Sequence, residues 1–335
     1  MPSPIFISKP SISFHPSVVL MGAAEALWAT VGLVGVCLYT LSSLQGLVQA
    51  WHTLKMSVSI HLLFQMPLYL VRGGYHVLEM VTGRRCPVPP PMARLDTLVT
   101  DYYTPHVFLM VMSGFFVVDW DGMLVSGVTP QMKDALTSYP NEHRQYPKPW
   151  RQRLYYLLKT SPEFQQCVSR YAYHLVFASV VFALVEVIPD YKCAPVALSF
   201  LTWKWLSERL GAFPSVVVIG MLNLVDFRYQ GPVVTSFAGA SLLARDLLVP
   251  YFCRVPFTRY ESTQWVKSRE GVLWGFAVVF WCLLWRFPVA CFWIYNAAQF
   301  GMGRLISRIS AAPPPSKSAF YHWSTSQLVW RPVVT

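Results

Sequence analysis

One apolar stretch constrains the fold of this chain more than any other feature. Residues Gly271–Gly303 form a run of 33 residues whose only formal charge is Arg286. About 20 apolar residues are enough to cross a lipid bilayer. As one helix the run would be ~50 Å long, which exceeds the ~30 Å hydrocarbon core. The run therefore predicts a spanning helix of roughly 15 to 20 residues that breaks near Pro288, followed by Val289–Gly303 turning towards the interface.

The composition of the whole chain supports a membrane environment. Of 335 residues, 54% are hydrophobic and only 13% are charged, against roughly 25% charged residues in soluble domains. The net charge is +11. In a soluble domain such a charge would suggest nucleic acid, but here the basic residues flank apolar runs. They predict contact with lipid headgroups or acidic protein surfaces, and no nucleic-acid partner.

Motifs that are typical of enzymes are missing from the sequence. There is no His-x4-Asp pattern, no set of clustered histidine boxes, no glycine-rich phosphate loop and no Gly-x-Ser-x-Gly. The seven cysteines are odd in number and include no CxxC pair, which argues against a disulfide framework or a metal site. The sequence therefore predicts a protein that is not an enzyme and holds no metal.

Apolar segments recur along the chain and predict an all-α fold. We expect a polytopic transmembrane helical bundle of about five to seven membrane segments, with extended N- and C-terminal tails. The clearest helix start is Ser161-Pro162-Glu163, with a Ser cap, a proline and an acid in the first turn, leading to a span over Tyr171–Ile188. Other candidate segments are Ala26–Ala50, Met56–Val71, Tyr102–Val118, Leu210–Val225 and Pro232–Tyr251.

The predicted spans divide the chain into three parts. Residues 1–24 are proline-rich and are expected to be an extended N-terminal segment, and residues 25–303 form the transmembrane domain. Within that domain, residues 119–161 form a polar loop containing an interfacial amphipathic helix at about 150–160. Residues 304–335 form an extended, basic and aromatic tail. Such a tail would be adhesive in water, so we expect it to lie on a partner protein.

Charged residues inside apolar segments are the first candidate functional groups. Arg286 lies inside the longest apolar run, and Glu186 is the carboxylate within the span Tyr171–Ile188, which makes it the expected partner in an intramembrane ion pair. The alternative is that Arg286 extends to the interface because its helix ends near Pro288. A transporter or channel would use Glu186, Arg286 and Glu25 in a solvated cavity. Glu25 itself is expected to cap the first membrane helix.

Histidines beside apolar segments raise a second alternative. His106 and His174 lie near the ends of two predicted spans, and His61 lies in a third segment. Paired imidazoles at matching depth can ligate haem, so His106 and His174 are the candidate ligands of a haem- or quinone-binding membrane anchor. Isolated histidines in helical bundles are more often hydrogen-bonded structural groups, so the sequence does not predict a cofactor.

Basic residues in the loops are candidate lipid ligands. They occur next to prolines or aromatic residues at the predicted interface, where phospholipid headgroups, including those of anionic lipids such as cardiolipin, would meet them. These residues are Arg84, Arg85, Arg94, Arg151 and Arg153.

Together these features predict a non-catalytic accessory subunit of a large membrane complex. Its role would be assembly, packing and lipid binding among other membrane subunits. The acid-free N-terminal segment favours an energy-converting inner membrane, that of mitochondria, with a respiratory-chain or ATP synthase complex as the host.

Overall fold

The computed structural model describes residues 14–32, 90–103, 117–139, 162–187, 193–287, 290–314 and 317–330, with isolated positions between residues 35 and 81 and residue 159. Every regular element in these ranges is helical, so the prediction of an all-α fold is confirmed for the part described. The helices are α1 Pro16–Val31, α2 Pro90–Thr97, α3 Val117–Gly127, α4 Pro130–Ser138, α5 Pro162–Phe182, α6 Cys193–Leu210, α7 Ala212–Asn223, α8 Phe227–Leu247, α9 Val249–Arg254, α10 Arg259–Ser268, α11 Glu270–Arg286, α12 Cys291–Ile309 and α13 Lys317–Ser326; π-helical turns extend α2 over Leu98–Tyr103 and α5 over Ala183–Val187.

Two helical segments are long and apolar enough to cross a membrane. They are Val168–Val187, which belongs to α5 and its extension, and Phe227–Arg254, which combines α8 and α9. A third candidate exists if α10 and α11, which meet at an angle of 77°, are counted as one broken span. In the described ranges the structure therefore gives two or three candidate spans, fewer than the predicted five to seven.

Local signals in the sequence place two helix ends. Helix α5 begins at Pro162, as the Ser-Pro-Glu signature predicts. Helix α11 ends at Arg286, two residues before Pro288, whose ring cannot continue a helix. Beyond this break the chain does not turn to an interface as predicted. It forms α12, a 19-residue helix that is buried along most of its length.

Glycines allow helix pairs to approach at backbone distance. A Cβ atom on Gly22 of α1 would lie 2.9 Å from the carbonyl carbon of Val272 in α11, and one on Gly275 of α11 would lie 2.9 Å from that of Val19. Gly127 of α3 and Gly303 of α12 make a second reciprocal contact of this kind. Such close approach lets helices associate without a large side chain between them.

Helices α11 and α12 lie at the centre of the main core. Phe276, Phe280 and Trp281 of α11 are buried with Tyr295 and Met302 of α12. Helix α1 covers one side of this pair and α3 another. A second, smaller core lies between α5 and α8 around Phe182 and Val185.

The N-terminal and polar segments differ from the predictions. Residues 16–24 are helical and not extended, because α1 starts at Pro16, which suits the first helical position. The sequence Asp119–Gly122, expected to end a helix, lies inside α3 because a buried ion pair accommodates Asp121. The expected loop thus contains α3 and α4. The amphipathic helix predicted at about 150–160 and the span predicted from Tyr102 lie largely outside the described residues.

The C-terminal tail folds back on its own chain. Residues 304–309 continue α12, and α13 packs against the region around α10, so the prediction that the tail is extended is corrected. Trp323 stacks on Phe257 with ring centroids 5.4 Å apart, and Ser324 donates a hydrogen bond to Glu261 at 2.8 Å. The aromatic residues of the tail therefore find apolar surface within the protein itself.

The linker before α13 is also fixed. The hydroxyl of Tyr139, next to the end of α4, donates a hydrogen bond to the carbonyl oxygen of Pro314. Burial raises the pKa of this phenol, so it remains a protonated donor at neutral pH.

Candidate functional site

Helices α5 and α8 run antiparallel and are joined by charged side chains at both ends. At one end Tyr171 donates a hydrogen bond to Asp246, and Arg170 lies 3.8 Å from the same carboxylate. At the other end Arg228 lies 3.9 Å from Glu186. Tyr171 and Glu186 are about 22 Å apart along α5, which is somewhat less than the ~30 Å thickness of a bilayer core. We call the first group of charges the Asp246 layer and the second the Arg228 layer.

The hairpin of α6 and α7 brings a further arginine to the Asp246 layer. The chain reverses at Gly211, whose φ of +87° suits glycine because it has no Cβ. Just before this turn, Arg209 lies 3.0 Å from Glu270 and donates a hydrogen bond of 2.6 Å to Ser241 of α8. Its guanidinium also lies 4.2 Å from the centroid of the Trp205 ring. The turn is thus tied to both α8 and α11.

The structure gives Glu186 a different partner from the predicted Arg286. Because α8 starts beside the end of α5, Arg228 in its first turn meets Glu186. Arg286 is exposed at the end of α11, with its guanidinium 5.8 Å from the Phe287 ring. This position agrees with the alternative that Arg286 extends outward where its helix ends.

Glu25 is not a helix cap, as the sequence suggested, because α1 begins nine residues earlier. It is buried in the middle of α1 and forms ion pairs with Arg304, at 3.3 Å, and with Arg308 of α12. The Arg304 guanidinium lies 3.3 Å from the centroid of the Trp28 ring. We call Glu25, Trp28, Arg304 and Arg308 the α1–α12 cluster.

Asp121 and Arg254 form a buried ion pair between α3 and α9. Nε and Nη2 of Arg254 each donate a 2.5 Å hydrogen bond to one carboxylate oxygen of Asp121, and both side chains are 6% exposed. Nη1 of Arg254 donates to the carbonyl oxygen of Leu136 in α4 at 2.9 Å. A planar guanidinium suits this double contact. The pair therefore joins three helices that are far apart in sequence.

Arg269 lies at the bend between α10 and α11 and is buried by the ends of three helices. It donates hydrogen bonds to the carbonyl oxygen of Ile309, the last residue of α12, at 3.0 Å, and to that of Gln327, just after α13, at 2.8 Å. It also contacts the carbonyl oxygen of Trp265 near the end of α10, at 3.4 Å. The C-terminal ends of helices carry partial negative charge, so they stabilise this cation.

The remaining predicted site residues are not brought together in the described part of the chain. His174 is buried in α5, with its ring centroid 6.1 Å from that of Phe177. Arg94 is exposed in the last turn of α2. No group of three or more His, Cys, Asp or Glu side chains that could hold a metal occurs among the described residues. Outside these residues lie His61, Arg84, Arg85, His106, Arg151 and Arg153.

Sequence reasoning missed the buried charge pairs because their partners are distant along the chain. Asp121 and Arg254 are separated by 133 residues, and Glu25 and Arg308 by 283. The only available signal was that a charge interrupts an apolar segment, as Arg245 and Asp246 do. That signal marks a residue but does not identify its partner.

Comparisons with known proteins found no match. No family model, no curated protein and no solved structure matches this chain.

Proposed function

We propose that the protein is a membrane-embedded, non-catalytic accessory subunit that binds a helix of a neighbouring subunit through α7. The observation that carries this proposal is the exposure of α7. Eleven of its twelve residues are not buried, Ser215 being the exception, although the helix is almost wholly apolar. Phe213, Val216 and Met221 are among its most exposed side chains.

The length of α7 favours a protein partner over lipid alone. Its twelve residues extend about 18 Å, less than the ~30 Å hydrocarbon core. A helix that is too short for the bilayer can relieve the mismatch by associating with another helix. Gly220 of α7 has no atom within 4 Å of the position of a Cβ. It leaves room for the backbone of a partner helix, as small residues do between membrane helices.

The charged layers support a structural role over transport. In the described helices the charges of α5 and α8 lie at the two ends, and Arg209 joins the Asp246 layer through contacts with other helices. A transport pathway would use charges within the layer between these ends. The arrangement favours a rigid helical unit, with the further spans that the sequence predicts completing the bundle.

The location remains the one proposed from the sequence. We propose the mitochondrial inner membrane, because of the acid-free N-terminal segment, and a respiratory-chain or ATP synthase complex as the host. Fractionation of cells that express the tagged full chain tests this: recovery with another membrane would overturn the location without affecting the role of α7.

The size of the native particle tests the proposed subunit role. Membranes are solubilised in mild detergent, and the tagged chain is followed by native electrophoresis. We expect the wild-type chain in a particle much larger than the 38.1 kDa protein in its detergent micelle. Gly220→Leu should release it as a monomer, because the added side chain fills the space for the partner backbone. Gly220→Ala, a much smaller addition, is the matched control and should remain in the large particle.

Two results would contradict the proposal. A wild-type chain that migrates as a monomer would remove the subunit role. A Gly220→Leu variant that stays in the large particle would show that α7 is not the contact. Because nothing lies within 4 Å of the added side chain's first atom and leucine is a better helix former than glycine, the isolated variant should be at least as stable as the wild type.

A further inference from the structure

The α1–α12 cluster carries more positive charge than it neutralises. Two guanidinium groups, those of Arg304 and Arg308, face one carboxylate, that of Glu25. The cluster therefore keeps one net positive charge. Glu25 is 8% exposed, whereas Arg304 is 29% and Arg308 is 49% exposed. The negative charge is thus directed inward and the excess positive charge outward.

Both arginines retain hydrogen-bond donors for a ligand. Each guanidinium has five N–H groups. Arg304 approaches Glu25 with Nε, and Arg308 does so with Nη1. Among the described residues the other nitrogens of these two side chains have no hydrogen-bond acceptor. A phosphate group matches the geometry that they offer, because its oxygens can accept from two guanidinium groups at once.

The surface beside the cluster is apolar along α1. The exposed side chains of this helix recur at intervals of three, four or seven residues, which places them on one face. Trp28, whose ring contacts Arg304, belongs to this face and is 48% exposed. Tryptophan is enriched where the apolar and polar parts of a membrane meet. The other large exposed side chains of this face are Leu20, Leu27 and Val31.

The cluster lies close to the Asp246 layer. Gly22 of α1 contacts the backbone of Val272, two residues from Glu270, which pairs with Arg209 in that layer. Glu25 is one helical turn from Gly22. The α1–α12 cluster therefore lies at the boundary between apolar and polar surroundings, which is where a lipid headgroup would be found.

We propose that the α1–α12 cluster binds the phosphate of an anionic phospholipid, with an acyl chain lying on the exposed apolar face of α1. The inference rests on the membrane placement in the proposed function but not on the partner of α7. The adjoining apolar face commits the site to a lipid, since free phosphate would gain nothing from Leu20, which lies on the bilayer side of Glu25 because α1 and α11 are antiparallel. These residues are distinct from the loop arginines that the sequence suggested as lipid ligands.

Native mass spectrometry of the purified full chain in detergent tests the site. Phosphatidylglycerol is titrated first, then phosphatidylcholine, which carries no net charge, and then inorganic phosphate. We expect phosphatidylglycerol to bind at least tenfold more tightly than phosphatidylcholine. The double variant Arg304→Gln/Arg308→Gln should lose at least tenfold in affinity for phosphatidylglycerol. The matched control, Arg228→Gln/Arg286→Gln, removes two exposed arginines elsewhere and should stay within twofold of the wild type.

Two further variants keep the test independent of folding. The triple variant Glu25→Gln/Arg304→Gln/Arg308→Gln removes the site without leaving a buried carboxylate unpaired, and it should lose binding like the double variant. Glu25→Gln alone raises the net charge of the cluster from one to two and should tighten phosphatidylglycerol binding severalfold. The gain should be absent for phosphatidylcholine, whereas apolar surface exposed by misfolding would bind both lipids.

Several outcomes would overturn the assignment. Equal binding of the two lipids, unchanged affinity in both arginine variants, or an equal loss in the Arg228→Gln/Arg286→Gln control would each do so. Displacement of phosphatidylglycerol by inorganic phosphate at similar concentration would assign the site to free phosphate. The measurement uses the isolated chain, so lipid binding can succeed while the test of α7 as a subunit contact fails, and the reverse.

Discussion

The contact between α1 and α11 permits a sharp prediction about Gly275. Replacing this glycine by alanine adds a Cβ atom 2.9 Å from the carbonyl carbon of Val19 and closer still to its oxygen. Both atoms belong to the backbone, so no side chain can rotate away. Carbon atoms pack at ~3.5–4.0 Å. The two helices must therefore separate by about 1 Å to accept the methyl group.

Two opposing terms determine the size of the effect. A gap of up to about 1 Å forfeits roughly a quarter to a half of the attraction of each contact that it opens, and overpacking of this kind costs about 1–3 kcal/mol. Alanine in a helix interior is more favourable than glycine by about 0.8–1.0 kcal/mol. We expect a net loss of up to about 2 kcal/mol in the free energy of unfolding for Gly275→Ala, and a stability about 1–3 kcal/mol below that of a glycine-to-alanine change without the overpacking.

Gly220→Ala is the matched control. It makes the same chemical change in α7, where no atom lies within 4 Å of the new Cβ. It should gain up to about 1 kcal/mol from helix propensity alone. Unfolding in detergent, followed by the fluorescence of the 13 tryptophans, should therefore place the two variants on opposite sides of the wild type.

A double variant tests whether Gly22 and Gly275 belong to one contact. Gly22→Ala opens the same contact from the other helix, so the variant with both changes should lose less than the sum of the two single losses. A gain in Gly275→Ala equal to that of Gly220→Ala would refute the backbone contact. So would an equal loss in Gly220→Ala, which would point to a general effect of substituting glycine.

Three further changes probe the charged residues. Asp121→Ala leaves Arg254 buried without its carboxylate and should cost about 3–5 kcal/mol in denaturant unfolding, whereas Asp121→Leu/Arg254→Met should recover most of it; failure of that rescue would contradict a purely structural pair. Arg228→Gln should cost less than about 1 kcal/mol, because its side chain is 76% exposed; a larger loss in the same assay would show a stronger role. Arg269→Met should loosen α13, seen as faster proteolysis after residue 310, and unchanged cleavage there would argue against it.

Local signals explain which parts of the fold could be predicted. The start of α5 at Pro162 follows from a cap, a proline and an acid that are adjacent in sequence. The end of α11 at Arg286 follows from Pro288, which lacks the N–H that a helix requires. Both signals act through the backbone within a few residues, so no knowledge of the tertiary structure is needed.

Features that depend on distant partners could not be predicted in the same way. From the sequence alone, Asp121 is a charge that is expected to end a helix, and only the structure shows that Arg254 lies beside it. The sequence offered Arg286 as the partner of Glu186, and only the antiparallel arrangement of α5 and α8 shows that Arg228 takes this place. Hydrophobic attraction is not directional. The composition of the tail therefore predicted that it would be covered, but not whether a partner protein or α10 of the same chain would cover it.

The burial of Arg269 has a consequence for the order of synthesis. Two of its acceptors, the carbonyl oxygens of Ile309 and Gln327, follow it in the chain. A nascent chain that has emerged only as far as α12 has a guanidinium in place but lacks one of its acceptors. The site is complete only after residue 327 has been made. A protein truncated before this residue would lack one acceptor of a buried cation and should unfold more easily than the full chain.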